Sequence, residues 1–181
     1  MNKLIFIALL ASSIALPAQE TRHDVVHSMG NLIDTKPLSD QVPDVFAVSG
    51  HFQRIVVLRF KFGTDLLAGL QKMIEKEKIR NAVVLSAFGS VRGYQIHKVS
   101  NRDFPTHDLF VKNPTAPADI TGMSGLVMAG RLHPHITLAD ADKAFGGHLE
   151  PGTTVFTFAV ITLGVLDDDL DLSRFDDSSM R

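Results

Sequence analysis

The first regular alternation of apolar and charged side chains comes about a third of the way along the chain. There Leu58, Phe60 and Phe62 alternate with Arg59 and Lys61. Successive side chains of a strand point to opposite faces of its sheet. The pattern therefore predicts a strand with one buried face, carrying the three apolar residues, and one solvated face.

Helical spacing begins just after Gly63, which is expected to turn the chain. Thr64 or Asp65 can cap the first turn of a helix, and the helix is expected to end near Arg80-Asn81. Charged residues fill the opposite face of this helix. The apolar positions, three or four residues apart, are Leu66, Leu67, Leu70, Met73 and Ile74.

The remaining apolar segments are short and rich in β-branched residues, and Gly or Pro separates them. Gly89-Ser90 is expected to break the first two of them apart. One helix and six or seven strands predict a single compact α+β domain with a largely antiparallel sheet. The expected strands cover residues 82–88, 91–99 and 109–111, a bent pair within 120–138, and 153–166.

The N-terminal residues 1–18 have the pattern of a secretory signal peptide. Lys3 precedes an uncharged, mostly apolar run over residues 4–16, which is too short to span a bilayer comfortably. Cleavage after Ala18 would make the mature protein periplasmic or secreted, if the source is bacterial, with no membrane attachment after cleavage. A retained, buried N-terminal helix is the alternative.

Two polar segments flank the expected domain at residues 51–166. Residues 19–50 contain Pro37 and Pro43 and suggest an arm or linker, whereas residues 167–181 form an acidic tail that we expect to be flexible. The domain carries 13 Lys/Arg against 9 Asp/Glu, a net charge of +4, and the tail carries 2 against 6. This charge is weak support for a phosphate-binding face.

Composition narrows the chemistry that the chain can perform. Its 181 residues are 45% hydrophobic and 21% charged, with a net charge of -2, which is typical of a globular protein without a nucleic-acid signature. The absence of cysteine excludes disulfides, thiolate metal sites and cysteine nucleophiles. A metal site would have to use His, Asp or Glu.

Three of the eight histidines fall within sixteen residues, at His133, His135 and His148. Residues i and i+2 of a strand share a face, so His133 and His135 can point at one ion. Gly146-Gly147 permits a close return of the chain, which can bring His148 to the same place. Three imidazoles suit zinc or another divalent metal and leave one coordination position open. Three surface histidines with only local hydrogen bonds are the alternative.

Pro134 constrains this segment, because proline cannot donate to a strand ladder. The histidine pair should therefore lie at an edge, a bulge or a strand end. Asp140 is expected to be a turn residue, with a role in orienting the imidazoles as its alternative. Weaker candidates for a ligand pocket or for contacts behind the metal ligands are Gly89, Ser90, His97, Asp140, Gly146 and Gly147.

The histidine segment resembles the signature of the PPC (plants and prokaryotes conserved) domain family, in its stand-alone prokaryotic form. The resemblance extends over residues 52–165 and implies a compact α+β fold that assembles as a homotrimer. It also implies that His133, His135 and His148 hold zinc. The matching residues are Gly130-x-Leu132-His133-x-His135 and Gly146-Gly147-His148-Leu149-x-x-Gly152.

The chain departs from the family in two respects. It has no Arg-Gly-Arg-Pro AT-hook, and Phe158-Ala159-Val160 lacks the glutamate that this strand often carries in the family. We expect an exported, homotrimeric module that binds zinc and an unknown small molecule. One alternative is a metal-dependent hydrolase or lyase, with Glu150, Asp140 and His97 as candidates for its general base. The other is a DNA-binding protein. DNA binding is disfavoured because the basic residues are scattered and the chain has one Tyr and no Trp for base stacking.

Overall fold

An 18-residue strand, Ala82–Val99, organises the fold in the computed structural model of the protein. The structure describes residues 20–26, 40 and 43–176. Within these residues, eight strands form one sheet, one or two more than the sequence predicts, beside a single α-helix and one 3₁₀ turn. In chain order the elements are β1 (Thr21–Val26), β2 (Phe52–Lys61), α1 (Leu66–Lys76), β3 (Ala82–Val99), β4 (His107–Asn113), β5 (Ala118–Met128), β6 (Arg131–Ala139), β7 (Ala144–Leu149), β8 (Thr154–Leu166) and the 3₁₀ turn Ser173–Asp176.

Strand β3 changes neighbours halfway along its length. Its first half pairs with β5 and β8, and its second half pairs with β4 and β7, always antiparallel. Because β6 pairs with both β5 and β7, strands β3, β5, β6 and β7 close into a ring. β2 extends the sheet from β8, and β1 extends it from β4. The α+β fold with a largely antiparallel sheet is therefore confirmed.

The predicted break at Gly89-Ser90 is wrong, because β3 runs through it as a β-bulge. The register of β3 against β8 shifts between Gly89 and Val91. Gly89 has φ +139°, and a Cβ there would lie 2.3 Å from the carbonyl oxygen of Phe158. Only glycine therefore fits at this position, where β3 and β8 approach closely. The bulge absorbs the irregularity, and the chain stays in the sheet.

Helix α1 begins where the sequence predicts and ends earlier. The Asp65 carboxylate accepts a hydrogen bond of 2.9 Å from the backbone N–H of Ala68, which makes Asp65 the N-cap. The helix ends at Lys76 rather than near Arg80, because Lys78 adopts φ +54° and turns the chain. The Arg54 guanidinium donates to the terminal Glu77 carbonyl at 2.8 Å.

The core extends from α1 along the sheet and includes buried residues of β2, β3 and β8 as well as of β5, β6 and β7. Leu58 and Phe60 of β2 are buried, as the alternation predicts, together with Leu66 and Leu70 of the helix. Phe62 follows the end of β2 and is 55% exposed, so its predicted burial is wrong. The alternation of buried and exposed side chains applies only as far as the strand continues.

The arm before the domain contributes structure that its polar sequence does not indicate. Residues 21–26 form β1, which pairs with β4, and the Asp24 carboxylate accepts a hydrogen bond of 2.8 Å from Ser100. The signal peptide predicted at 1–18 lies outside the described residues. None of the described helices is both long and apolar enough to cross a membrane.

The first residues of the acidic tail pack on the domain. Leu172 is 5% exposed, and the Phe175 and Phe46 ring centroids lie 4.7 Å apart. The buried Asn81 amide donates to the carbonyls of Asp167 and Leu170, at 3.1 and 2.7 Å. The tail therefore packs two apolar side chains, Leu172 and Phe175, on the domain. The run of aspartates in its sequence does not indicate this packing.

Candidate metal centre

Neighbouring strands bring four histidines together at one end of the closed ring of strands. His97 of β3 is the register partner of His148 of β7, and His148 is also the register partner of His135 of β6. His133 lies two residues before His135 on the same strand. The sheet topology thus places three adjacent strands so that their histidines converge.

The three histidines singled out from the sequence form the first part of this cluster. The Nε2 atoms of His133 and His135 lie 3.3 Å apart, within hydrogen-bond distance of each other. The His148 ring stands nearly perpendicular to both, with centroid distances of 4.9 Å to His133 and 5.5 Å to His135. These three rings therefore lie in contact, whereas the described group whose ligand atoms all lie within 4.8 Å of one another is His97, His148 and Glu150.

Glu150 forms the second part of the cluster. Its Oε1 atom lies 2.6 Å from Nδ1 of His97 and 3.2 Å from Nδ1 of His148. The two imidazole rings stack on each other with centroids 4.6 Å apart. One carboxylate oxygen therefore binds both histidines of the β3–β7 pair, and the donor atoms of all three residues lie within 4.8 Å of one another.

The backbone explains why these side chains can approach so closely. A Cβ at Gly147 would lie 2.3 Å from the His97 carbonyl oxygen, and one at Gly146 would lie 2.3 Å from the Ile136 carbonyl oxygen. Both glycines therefore let β7 fit tightly between β3 and β6. Their predicted role, a close backbone approach that delivers His148, is seen in the structure.

Pro134 lies where β6 has a neighbour on only one side. It pairs with Gly125 of β5, whereas the pairing of β6 with β7 begins only at His135. The missing N–H of proline therefore costs no ladder hydrogen bond on the β7 side. As predicted, Pro134 lies at a local sheet edge, and this keeps the His133–His135 pair near the surface.

Burial favours the neutral form of two of the histidines. It lowers the pKa of His135 below the ordinary 6.5, and the nearby His133 and His97 lower it further. Burial also lowers the pKa of His148, as do His97 and His133, although the Glu150 carboxylate partly opposes the shift. Neutral imidazole is the form that donates a lone pair to a metal.

The hydrogen bonds to Glu150 fix which nitrogen of His148 is available. A carboxylate only accepts hydrogen bonds, so the Nδ1–H group of His148 donates a hydrogen bond to Glu150. The lone pair is then on Nε2. This is the carboxylate–histidine arrangement that commonly orients metal ligands. The sequence contained a signal for it, because His148 and Glu150 are two residues apart.

The other weaker candidates lie elsewhere. Ser90 donates to, or accepts from, the Thr157 hydroxyl at 2.7 Å, beside the bulge at Gly89. The Asp140 carboxylate accepts from the backbone N–H groups of Asp142 and Lys143, both at 2.9 Å, so it is a turn residue. Ser90 and Asp140 line a separate cleft of about 530 Å³ that contains no histidine.

Comparison with known proteins gives relatives of two kinds. Over 111 residues the chain is 30% identical to the bifunctional protein GlmU of a Synechococcus strain. The match covers 61% of this chain but 17% of that protein, so the chain spans about a sixth of the length of its curated relative.

Solved structures share the fold. A metal-containing protein of Archaeoglobus fulgidus has a TM-score of 0.54 and 24% identity, covering 70% of this chain and 86% of the other. A protein of Bacteroides thetaiotaomicron described as a candidate DNA-binding protein has a TM-score of 0.52 and 15% identity, covering 64% and 83%. The model of the Plants and Prokaryotes Conserved (PCC) domain matches residues 47–167, and this chain is a member of that family.

Proposed function

We propose that the protein is a metal-binding module in which His133, His135 and His148 hold zinc or a similar divalent ion through their Nε2 atoms. The His133–His135 distance carries the proposal. Two nitrogen ligands of a tetrahedral zinc ion, each about 2.0–2.1 Å from the metal, lie about 3.3–3.4 Å apart. The two Nε2 atoms are 3.3 Å apart. The metal-containing relative from Archaeoglobus fulgidus supports the same conclusion.

Direct coordination by His97, His148 and Glu150, whose ligand atoms all lie within 4.8 Å of one another, is the competing placement, and one distance disfavours it. Glu150 Oε1 lies only 2.6 Å from His97 Nδ1, well below the separation of two ligands on one tetrahedral ion. It is a normal length for a charge-assisted N–H···O hydrogen bond. We therefore assign Glu150 and His97 to positions behind the metal ligands, where they orient His148.

Metal content tests the assignment. The purified, untagged protein should contain about one zinc per chain by elemental mass spectrometry, and the His133→Ala/His135→Ala variant should contain none. His51→Ala is the matched control, because that side chain is 95% exposed and outside the cluster. A protein that stays metal-free after zinc is supplied and dialysed would contradict the proposal. So would an undiminished zinc content in the double variant.

Binding fits the site better than turnover. A zinc-bound water can act as a nucleophile, and its chemistry usually requires a nearby general base. Glu150 already accepts hydrogen bonds from two histidines, and Asp140 closes a turn. We therefore propose that the open metal position binds a ligand and does not hydrolyse it. Sustained zinc-dependent hydrolysis of ester or phosphate substrates would contradict this.

We also propose that the protein is a homotrimer formed through the outer face of β2, β8 and β3. The family resemblance suggests the trimer, and a row of exposed apolar residues on this face supports it. The opposite face of the same strands carries the buried core. The exposed residues are Ile55 (53%), Val57 (65%), Leu85 (45%), Phe88 (52%) and Phe158 (36%).

Export completes the proposal, since residues 1–18 have the pattern of a signal peptide. Mass spectrometry of the protein from a bacterial periplasm should give a mature chain beginning at Gln19. Retention of Met1 in the cytoplasmic fraction would contradict export. The zinc site does not depend on the result.

DNA binding is a second candidate function, favoured by the description of the relative from Bacteroides thetaiotaomicron. The structure argues against DNA binding, because two of the basic residues already have partners within the chain. Arg54 donates a hydrogen bond to Glu77, and the Arg92 guanidinium lies over the Phe62 ring, 5.2 Å from its centroid. Phosphate contacts would make the affinity fall steeply with salt. A duplex titration between about 50 and 200 mM salt that gives a steep slope would establish DNA binding, and no binding at the lower salt would exclude it.

A further inference from the structure

A cleft opens directly beside the His133–His135 pair. It has a volume of about 240 Å³, and both imidazoles line it. The remaining lining residues are apolar: Gly125, Leu126, Met128 and Phe175. The side of the proposed metal site formed by His133 and His135 therefore borders a cleft whose remaining walls are apolar, a common form of small-molecule site.

The outer wall of the cleft comes from the start of the acidic tail. Phe175 lies in the 3₁₀ turn, and Leu172, three residues earlier, is 5% exposed and anchors this segment. The Phe46 ring supports Phe175 from the other side, at a centroid distance of 4.7 Å. Phe175 nevertheless stays 40% exposed, which leaves apolar surface available to a ligand.

The size of the cleft limits what it can hold. Water occupies about 30 Å³ in the liquid, so a cleft of about 240 Å³ has room for roughly eight non-hydrogen atoms. That is less than the volume of typical drug-sized pockets. The cleft is open to solvent, so its volume measures the part of a ligand that it covers, and a six-carbon carboxylic acid, with about eight non-hydrogen atoms, matches that volume.

The charge of the metal centre selects the head group. Three neutral imidazoles leave the full positive charge of a divalent ion at the open position, which favours an anionic ligand. Among the residues that line the cleft, none carries a carboxylate or an ammonium group. A charged ligand atom is therefore stable there only when it is bound to the metal.

From these observations we propose that the metal centre binds a small anionic ligand with a short apolar body. Its head, a carboxylate, occupies the open metal position, and its body of about five carbons lies against Leu126, Met128 and Phe175. This inference rests on the metal-binding function proposed above. It assigns to the tail a direct part in ligand binding.

The test uses the full-length protein loaded with cobalt, whose visible spectrum reports the coordination of the metal. Hexanoate is titrated against acetate, which has only the head, and 1-hexanol, which has only the body. We expect hexanoate to change the spectrum at concentrations at least tenfold lower than acetate, because four more methylene groups leave water. Hexanol alone should leave the spectrum unchanged.

Two variants connect the preference to the cleft. Phe175→Ala removes one apolar wall without touching a metal ligand, and it should reduce the preference for hexanoate over acetate to about threefold or less. Phe104→Ala is the matched control, because Phe104 is 48% exposed and does not line the cleft. It should keep the parental preference.

The outcomes separate this inference from the function on which it rests. If cobalt binds but hexanoate and acetate act at equal concentrations, the ligand class is wrong and the metal centre stands. If the preference survives in Phe175→Ala, the cleft is not the binding place. If neither cobalt nor zinc binds at all, both proposals fail together.

Discussion

Glu150 is the residue on which the orientation of the proposed metal ligands depends most. We expect Glu150→Gln to weaken zinc binding by about 10–100-fold, because a neutral amide holds the N–H of His148 less strongly. The affinity is measured by competition with a chelator of known strength. Glu75→Gln makes the same chemical change on the exposed face of α1 and should leave the affinity unchanged. Equal affinities for both variants would show that Glu150 does not orient a ligand.

The depressed pKa values of His135 and His148 predict a pH dependence of the metal-free protein. Both groups bind protons less readily when folded, so the unfolded chain takes up protons first as the pH falls through the ordinary value of 6.5. The free energy of unfolding should therefore decrease from pH 7.5 to pH 5.5. Urea unfolding with a chelator present measures the change.

Replacement of the two histidines provides the control for this pH dependence. In His135→Gln/His148→Gln the two titrating groups are gone, so the decrease in stability over the same pH interval should be smaller than in the parent. An equal decrease in both proteins would assign the pH dependence to other groups. The comparison is made within each protein, so any general destabilisation by the substitutions cancels.

The sequence predicts the proposed metal ligands but only half of their surroundings. His-x-His spacing and the Gly-Gly return locate His133, His135 and His148, because both signals are local in the chain. The stacking of His97 on His148 depends on which strands become neighbours, β3 and β7, and no local pattern encodes that. Glu150, which the sequence offers only as a general-base candidate, lies two residues after His148 and just past the end of β7.

At the scale of elements, a substitution in β7 can test whether the proposed site requires the close approach of β3 and β7. Gly147→Ala would place a Cβ 2.3 Å from the His97 carbonyl oxygen, so the strand must shift. We expect a loss of about 1–3 kcal/mol of stability, typical of overpacking, together with weaker zinc binding because His148 is the next residue. Thermal unfolding and chelator competition measure the two effects.

Gly122→Ala serves as the control for β7. A Cβ at Gly122 meets nothing within 4 Å. The losses of stability and zinc affinity should therefore be at most a few tenths of those caused by Gly147→Ala. If Gly147→Ala were equally harmless, the close approach of β3 and β7 would not be required. We therefore expect the requirement for glycine at Gly147, where β7 contacts β3, and not at Gly122.

Element prediction succeeds where one period continues and fails at its ends. The helix over residues 66–76 and the long strands follow from their apolar spacing. The bulge at Gly89 has the sequence of a turn, although the neighbouring strands hold it in the sheet. β1 and the start of the acidic tail are polar segments whose structure comes from their partners, β4 and the buried Asn81. Long-range contacts of this kind produce no periodic pattern of apolar residues in the sequence.

At the scale of the whole molecule, the outer face of β2, β8 and β3 is unusual for a soluble domain. Val57, at 65% exposure, lies opposite Thr162 of β8, and Ser86 of β3 pairs with the same Thr162 from the other side. Exposed apolar side chains of this face thus lie on three neighbouring strands, beside the polar Ser86 and Thr162. Exposed apolar surface of this kind commonly marks a protein–protein interface.

The proposed trimer makes this face the place to break the assembly. Val57→Glu/Phe88→Glu should convert the protein from three chains to one, because each copy would place two carboxylates against an apolar partner. Analytical ultracentrifugation measures the mass of the assembly. Val99→Glu is the control: Val99 is 61% exposed but lies at the far end of β3, and its variant should remain trimeric. A parent protein that sediments as a monomer would contradict the proposed assembly. A charged double variant that stays trimeric would place the interface on another face of the sheet.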